Sequence, residues 1–300
     1  MKYNKPALTI PQQIIKLKDR GLIIPDDTLA ERYLSNISYY RLRAYTYPYQ
    51  NNQEENQPFV ENASIDQVME LYTFDRRLRL LLFDGIERIE IALRTQIIYQ
   101  WALQNGSHWH LQQNLYKDNS KFIKHLASLQ KELDRCNETF VEHYYQKYTQ
   151  PSAPPAWMSL EVTSIGLLSL LFQNLKNCPE KKAVTHHFGL LSTDVLENWV
   201  HNFCNVRNIC AHHGRLWNRR ISIHLNLPRK TKELFITNKN INPYKLYASL
   251  SAMLYCMQII NPESSFKAQL LDLLQQYPNK ELKEMGFPKN WKQEAFWNEE

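Results

Sequence analysis

Apolar residues recur at three- and four-residue steps along most of the chain, the spacing of helices that bury one face. The longest run follows Ser64-Ile65-Asp66-Gln67, where a Ser with Gln three residues on forms a capping-box start. Leu71, Phe74, Leu78, Leu81, Leu82, Ile86, Ile89 and Leu93 then predict one helix to about Gln104. Its other face carries Arg76, Arg77, Arg79, Glu87, Arg88, Glu90 and Arg94. Opposite charges three or four apart, as in Glu90 with Arg94, predict a solvated, self-paired surface there.

Shorter segments flank that run. Ile10 to Gly21 reads as a helix with Ile14, Ile15 and Leu17 inward and Gly21 as its C-terminal cap. Asp26-Asp27 starts a second helix carrying Leu29, Tyr33 and Leu34. Such a pair resembles a helix-turn-helix, or is simply an N-terminal packing subdomain. Ser120 to Tyr148 predicts one or two helices, and Pro151, Pro154 and Pro155 mark a break before Trp157. Ser159 to Leu175 reads as a central core helix in which Gly166 permits close contact. Thr193 and Asp194 cap a helix from Val195 to about His213, ended by Gly214. A polar, basic linker, Asn226 to Asn240, leads to two last helices, Tyr244 to Ile260 and Ser264 to Gln276.

Strand and hairpin signals are hard to find, glycines number only 7, and the hydrophobic fraction of 43% supplies a real core, so the fold class is all-α. The expected organisation is a small N-terminal helical, Tyr/Arg-rich subdomain over 1–57, a helical bundle over 58–225, and C-terminal helices completing it over 226–300. No repeat of solenoid length is present. The chain lacks a signal-type apolar segment and any run of about 18 apolar residues, which predicts a soluble, unexported, cytoplasmic protein. Five scattered cysteines without a CxxC pair fit a reduced compartment and no disulfide framework.

Candidate chemistry concentrates in two places. Between Ile37 and Tyr49 tyrosines alternate with arginines, and Tyr39, Tyr40, Arg41 and Arg43 could stack bases and pair phosphates, or wedge the small subdomain into place. The second place is the helix from Val195. Val195, Leu196, Trp199, Phe203, Val206 and Cys210 share one face, while His201, Asn205, Asn208 and His212 form the opposite stripe. Two histidines and two asparagines without Lys or Glu suggest a polar cleft. Arg207, four residues and His212 end this helix, followed by His213, Arg215, Arg219 and Arg220. The formal charge of +6 suits a polyanion partner without identifying one.

Arg207 to His212, with the polar Asn208 next to the arginine, resembles the Arg-x4–6-His motif of the HEPN superfamily. Three further stretches resemble the Abi-like (abortive infection, AbiD/AbiF-like) family within it: Ser38 to Leu42, Phe74 to Arg79, and Ile86 to Arg94. The likeness covers residues from about 10 to about 225. It implies a HEPN-like helical bundle and a metal-independent endoribonuclease acting as a phage-defence toxin. Arg207, Asn208 and His212 would be catalytic, and Tyr39, Tyr40, Arg41, Arg43, His213, Arg215 and Arg219 would bind RNA. A small RNA or protein antitoxin is a possible further partner. No cofactor, metal or membrane is implied.

RNA cleavage by its own 2′-OH needs a base, an acid for the leaving 5′ oxygen and positive charge at the phosphorane, which histidine and arginine supply. A helix C-terminus favours a positive group, so His212 suits the acid, with His213 or His201 as spare candidates for its partner. Asn208 would orient His212 or hold a phosphate oxygen. Positions 207 and 212 lie about 140° apart on an ideal helix, so either the last turn is distorted or two copies form a composite cleft. Since one motif copy is present, a homodimer is expected. The competing readings are a non-catalytic RNA-binding protein and a structural adaptor. A zinc site from Cys204, Cys210, His212 and His213 is disfavoured by spacing.

Overall fold

The computed structural model describes residues 2, 6–277 and 279–298, with backbone alone at 279–281. In chain order its α-helices are α1 (Ile10–Asp19), α2 (Asp27–Ile37), α3 (Tyr39–Thr46), α4 (Ile65–Asn105), α5 (Asn119–Arg135), α6 (Thr139–Lys147) and α7 (Ala156–Ser159). There follow α8 (Ile165–Asn174), α9 (Pro179–His187), α10 (Thr193–Ala211), α11 (Leu246–Ile260), α12 (Phe266–Gln275) and α13 (Asn279–Glu284). Pairing of extended backbone among the described residues is limited to isolated bridges, so the fold is an all-α helical bundle. Two compact units, residues 1–78 and 79–300, divide within α4.

In the first unit, α1 opens on a capping box: the Thr9 backbone N–H donates to Gln12 Oε1 (2.9 Å), and the Gln12 N–H to Thr9 Oγ1 (3.4 Å). It closes with Gly21 at φ +92°, whose N–H and that of Leu22 reach back to the Lys18 and Leu17 carbonyls. Ile14 and Leu17 are buried, but Ile15 is 56% exposed. The inward reading of Ile15 is therefore corrected, since it lies about 100° round the helix from Ile14. The Asp26 carboxylate caps α2 by accepting the Leu29 N–H at 3.1 Å. Ser64 and Gln67 exchange both capping-box bonds at the start of α4.

The second unit packs α8, α9 and α11 around α10 and sets α5 against α8. The apolar face of α10 is sealed along most of its length: Leu196, Trp199, Phe203, Val206 and Cys210 are buried, while Val195 in the first turn is only half-buried. Trp199 lies against the rings of Phe235 (5.6 Å) and Tyr255 (5.9 Å), and its Nε1–H donates to the Asn226 carbonyl at 2.8 Å. A fully buried aromatic of this kind contributes about 2–3 kcal/mol of transfer free energy.

Four expectations change here. Residues 160–164 interrupt the expected Ser159 to Leu175 helix, because the Ser164 hydroxyl accepts the Leu167 N–H and restarts the chain as α8. Gly166 is not demanded by close packing, since a Cβ there would meet Cys204 Sγ at an ordinary 3.7 Å. The cap of α10 is Ser192, without a side-chain cap bond, rather than Thr193 or Asp194. The stretch from 226 to 240 is also more than a linker, for it buries Phe235 and Ile236.

His110, 0% exposed after α4, and His125, 6% exposed on α5, have no hydrogen-bond partner at either ring nitrogen. Burial first, then the neighbouring His108 and His125, pushes His110 down to about 3, and burial pushes His125 down to about 4. An unfolded chain protonates both near 6.5. Stability is therefore undiminished above pH 6.5 and falls below it, by up to about 1.4 kcal/mol per pH unit per ring, until each folded ring titrates. Urea midpoints should drop between pH 6.5 and pH 4, less steeply in His110→Phe. Midpoints flat across that interval would contradict this.

Candidate functional site

The helix that carries Arg207 and His212 ends in a particular way. His212 occupies the cap position of α10 at φ −88°, ψ 13°, and His213 follows at φ +54°. The Gly214 N–H bonds the Ile209 carbonyl (2.9 Å) and the His213 N–H the Cys210 carbonyl (3.0 Å), the paired bonds of a Schellman turn. The left-handed position usually given to glycine is thus held by His213, and the expectation that Gly214 itself takes it is corrected. Gly214 is needed for room instead: a Cβ would stand 3.3 Å from the Ile209 carbonyl oxygen and 3.2 Å from an Arg219 guanidinium nitrogen. A histidine in the left-handed region costs on the order of 1 kcal/mol, which localises strain beside His212. His212 is outside the regular helix, so the 140° offset does not describe its direction.

Arg207 is half-buried. Its guanidinium carbon sits 5.5 Å from the centroid of Phe83 on α4, and one nitrogen donates to Asn208 Oδ1 at a long 3.5 Å. Asn208 is exposed and its Nδ2 reaches Cys204 Sγ at 3.9 Å. The Asn208 side chain therefore leans on Arg207 and Cys204, and its tie to His212 runs through its backbone carbonyl, which accepts the His212 N–H at 3.0 Å. His212, His213 and His201 are exposed. The expected polar stripe also holds Asn205, whose Oδ1 is buried without a hydrogen-bond partner.

Three charged residues of α4 complete the surroundings. Arg94, 8% exposed, bonds Glu90 Oε1 at 2.6 Å and the Thr163 carbonyl at 2.7 Å. Burial pushes the Glu90 carboxyl above the ordinary carboxylate value, against the opposing pull of Arg94 and Arg207. Burial likewise raises the Cys204 thiol, with Arg207 pulling the other way. Arg79, 6% exposed, donates to the Gly214 carbonyl at 3.4 Å and so touches the turn that holds His212. The solvated-face reading of Arg79 and Arg94 is corrected: both are buried hydrogen-bonding arms. Periodicity alone placed them on a polar stripe and could not show what covers it.

The other candidates are divided between the two units. On α3, Tyr40 is 84% exposed and Arg41 and Arg43 are exposed, with Arg43 donating to Gln57 Oε1 at 3.0 Å. Tyr39 is half-buried and accepts from Arg20 at 3.4 Å, while Tyr45 is buried with its hydroxyl donating to Asp75 at 2.6 Å. The tyrosines thus divide between packing and surface. In the second unit Arg219 is exposed and donates to the Arg215 carbonyl at 3.5 Å, and Arg220 lies 3.6 Å from the Tyr244 ring centroid. Among the described residues no three His, Cys, Asp or Glu side chains converge as a metal site. Nor is any described helix long and apolar enough to cross a membrane.

A helical bundle with an Arg-x4-His turn at the end of a central helix is the class that this geometry defines. The family of Abi-like proteins matches residues 32–218, more than half of the chain, and the chain belongs to that family, with an abortive-infection-related role. No curated protein matches it. No solved structure matches it either.

Removing Arg94 leaves Glu90 and the Thr163 carbonyl without their partner, so Arg94→Ala should lose roughly 2–4 kcal/mol. Arg207→Ala should stay within about 1 kcal/mol of wild type. Urea unfolding of both variants checks this, and the reverse order would show that Arg207 is the structural arginine.

Proposed function

We propose that this protein is a HEPN-type endoribonuclease that acts as an abortive-infection toxin, with Arg207 and His212 as its catalytic residues. The observation that carries the reading is the division of α10. Its apolar face is sealed, while Arg207 and His212 stand outside that face at the helix end, with Arg207 braced on Phe83. Neither residue belongs to the sealed apolar face.

In the reaction the 2′-OH loses its proton to a histidine as its oxygen attacks the adjacent phosphorus. The P–O5′ bond breaks, and a second, protonated histidine gives its proton to the leaving 5′ oxygen. The products are a 2′,3′-cyclic phosphate and a 5′-OH, and the two histidines have exchanged protonation states. Arg207 holds the non-bridging oxygens, where its planar fork makes two parallel bonds as charge builds on the phosphorane. Asn208 steadies Arg207 through its side chain. Two His212 residues from a homodimer supply the acid and the base, and His213 is the alternative partner within one chain. Tyr39, Tyr40, Arg41, Arg43, Arg215 and Arg219 bind RNA, as does His213 where two His212 residues serve as acid and base, and a small RNA or protein antitoxin holds the toxin in check. The competing reading, RNA binding without cleavage, draws on Tyr40, Arg41, Arg43 and Arg219 at the surface.

Total RNA incubated with the protein in EDTA should be cut. His212→Ala should lower the rate about 10² to 10⁴-fold while RNA remains bound, Arg207→Lys should lose much of it, and Asn208→Ala should be impaired less. Full toxicity in His212→Ala would favour the binding reading. Light scattering should give a dimer, and a strict monomer that still cuts RNA would return the second proton-transfer role to His213.

A further inference from the structure

The chain that follows the His212 turn doubles back along α10 and is tied to it by hydrogen bonds. Arg219 reaches the turn itself, with a guanidinium nitrogen 3.2 Å from where a Cβ on Gly214 would stand. Further on, Asn202 Nδ2 donates to the Ile223 carbonyl (2.7 Å) and Asn198 Nδ2 to the His224 carbonyl (3.0 Å). The far edge is fixed as well, because the Ile221 N–H donates to the Tyr244 carbonyl at 2.8 Å and the Leu225 N–H to the Pro243 carbonyl at 2.9 Å. Ile221 and Leu225 are buried, whereas Arg219, Arg220, Ser222 and His224 are exposed. From His212 back to Asn198 the helix rises roughly 20 Å, so the outer surface of this strap forms a track that starts beside the candidate catalytic turn.

Two features say what the track would hold. The first is charge: residues 198–232 contain no Asp or Glu, and their seven arginines and lysines outweigh the net +6 of the whole chain. None of the ion pairs among the described residues includes Arg219 or Arg220. An acid-free surface of this kind suits a polyanion. The second feature is planarity. The Arg220 guanidinium carbon lies 3.6 Å from the Tyr244 ring centroid, close enough that the guanidinium rests on the ring face, and the His224 ring is 5.7 Å from the Tyr244 ring. Arg220 is exposed, which leaves its outer face open to a further flat group. A nucleobase supplies such a face and an acidic peptide of Asp and Glu does not. A duplex hides its base faces in its own stack, so a single strand fits both features.

We propose that Arg220, Tyr244 and His224 form a base-stacking subsite for single-stranded RNA, with Arg219 on the phosphates between it and the turn that carries His212. The subsite rests on the nuclease reading in that the strand held here is the one cut at α10, but its binding is measured apart from cleavage. The probe is a labelled 2′-O-methyl RNA strand of about 10 nucleotides, whose blocked 2′ oxygen cannot attack, titrated with the full chain and followed by fluorescence anisotropy. Wild type should bind it. Arg220→Lys keeps the charge and loses the plane, and Tyr244→Leu loses the ring. Each should weaken the single strand about fivefold or more and leave the same strand annealed to its complement bound as before. Tyr244→Phe should bind like wild type. Because Arg220 is exposed, Arg220→Lys keeps its fold, and it decides the matter if Tyr244→Leu does not fold. Absence of binding at about 100 μM, single-strand binding undiminished in Arg220→Lys, or an equal loss with the duplex would overturn the subsite, as would polyglutamate competing as well as the strand. Binding that follows the expected pattern without any cleavage of unblocked RNA would support the subsite and sink the nuclease reading alone.

Discussion

Everything about the candidate site follows from the burial of one face of α10. Trp199, Phe203, Val206 and Cys210 are withdrawn from water, and the aromatic contacts with Phe235 and Tyr255 fix the rotation of the helix about its axis. Once that rotation is fixed, Arg207 is set off the packed face, and the turn that follows the helix carries His212 to the surface. The surrounding asparagines reinforce it: Asn198 accepts the Asn226 N–H at 2.7 Å, and Asn202 donates to the Ile223 carbonyl at 2.7 Å. They strap the returning chain along the helix. A slip in rotation would break the packing and the strap together.

The second constraint is charge placed where it cannot be solvated. Arg94 is locked between Glu90 and a backbone carbonyl, and Arg79 reaches the Gly214 carbonyl beside the strained His213. Breaking such buried pairs is expensive even when forming them contributes little net stability. These residues hold a surface that must keep its shape without a hydrophobic filling. The strain at His213 belongs to the same picture, since a non-glycine left-handed residue persists only where the neighbouring structure over-determines it.

Much of this was legible from residue types and spacing. The all-α class, the length of α4 and its capping box, the Asp26 cap and the sealed stripe of α10 all follow from periods and local hydrogen-bonding chemistry. The pairing of Glu90 with Arg94 was legible in its four-residue spacing, but the burial of Arg79 and Arg94 was not. Their three- and four-residue spacing is that of any solvated helix face, and only the elements packed over α4 turn them inward. The left-handed His213 was hidden for a related reason, since the glycine beside it satisfied the local rule for a helix stop. The burial of His125 without a hydrogen-bond partner gave no sequence signal, because one histidine on an amphipathic helix does not show what covers it.

The central claim is that His212 and Arg207 cut RNA through its own 2′-OH. The most direct measurement is to map one cleaved bond in a short RNA and then replace the nucleotide on its 5′ side with the 2′-deoxy form. Cleavage at that bond should vanish while other bonds are still cut, and the unmodified RNA should give cyclic-phosphate and 5′-OH ends. Undiminished cleavage of the 2′-deoxy bond, or 3′-OH ends from the unmodified strand, would contradict the account.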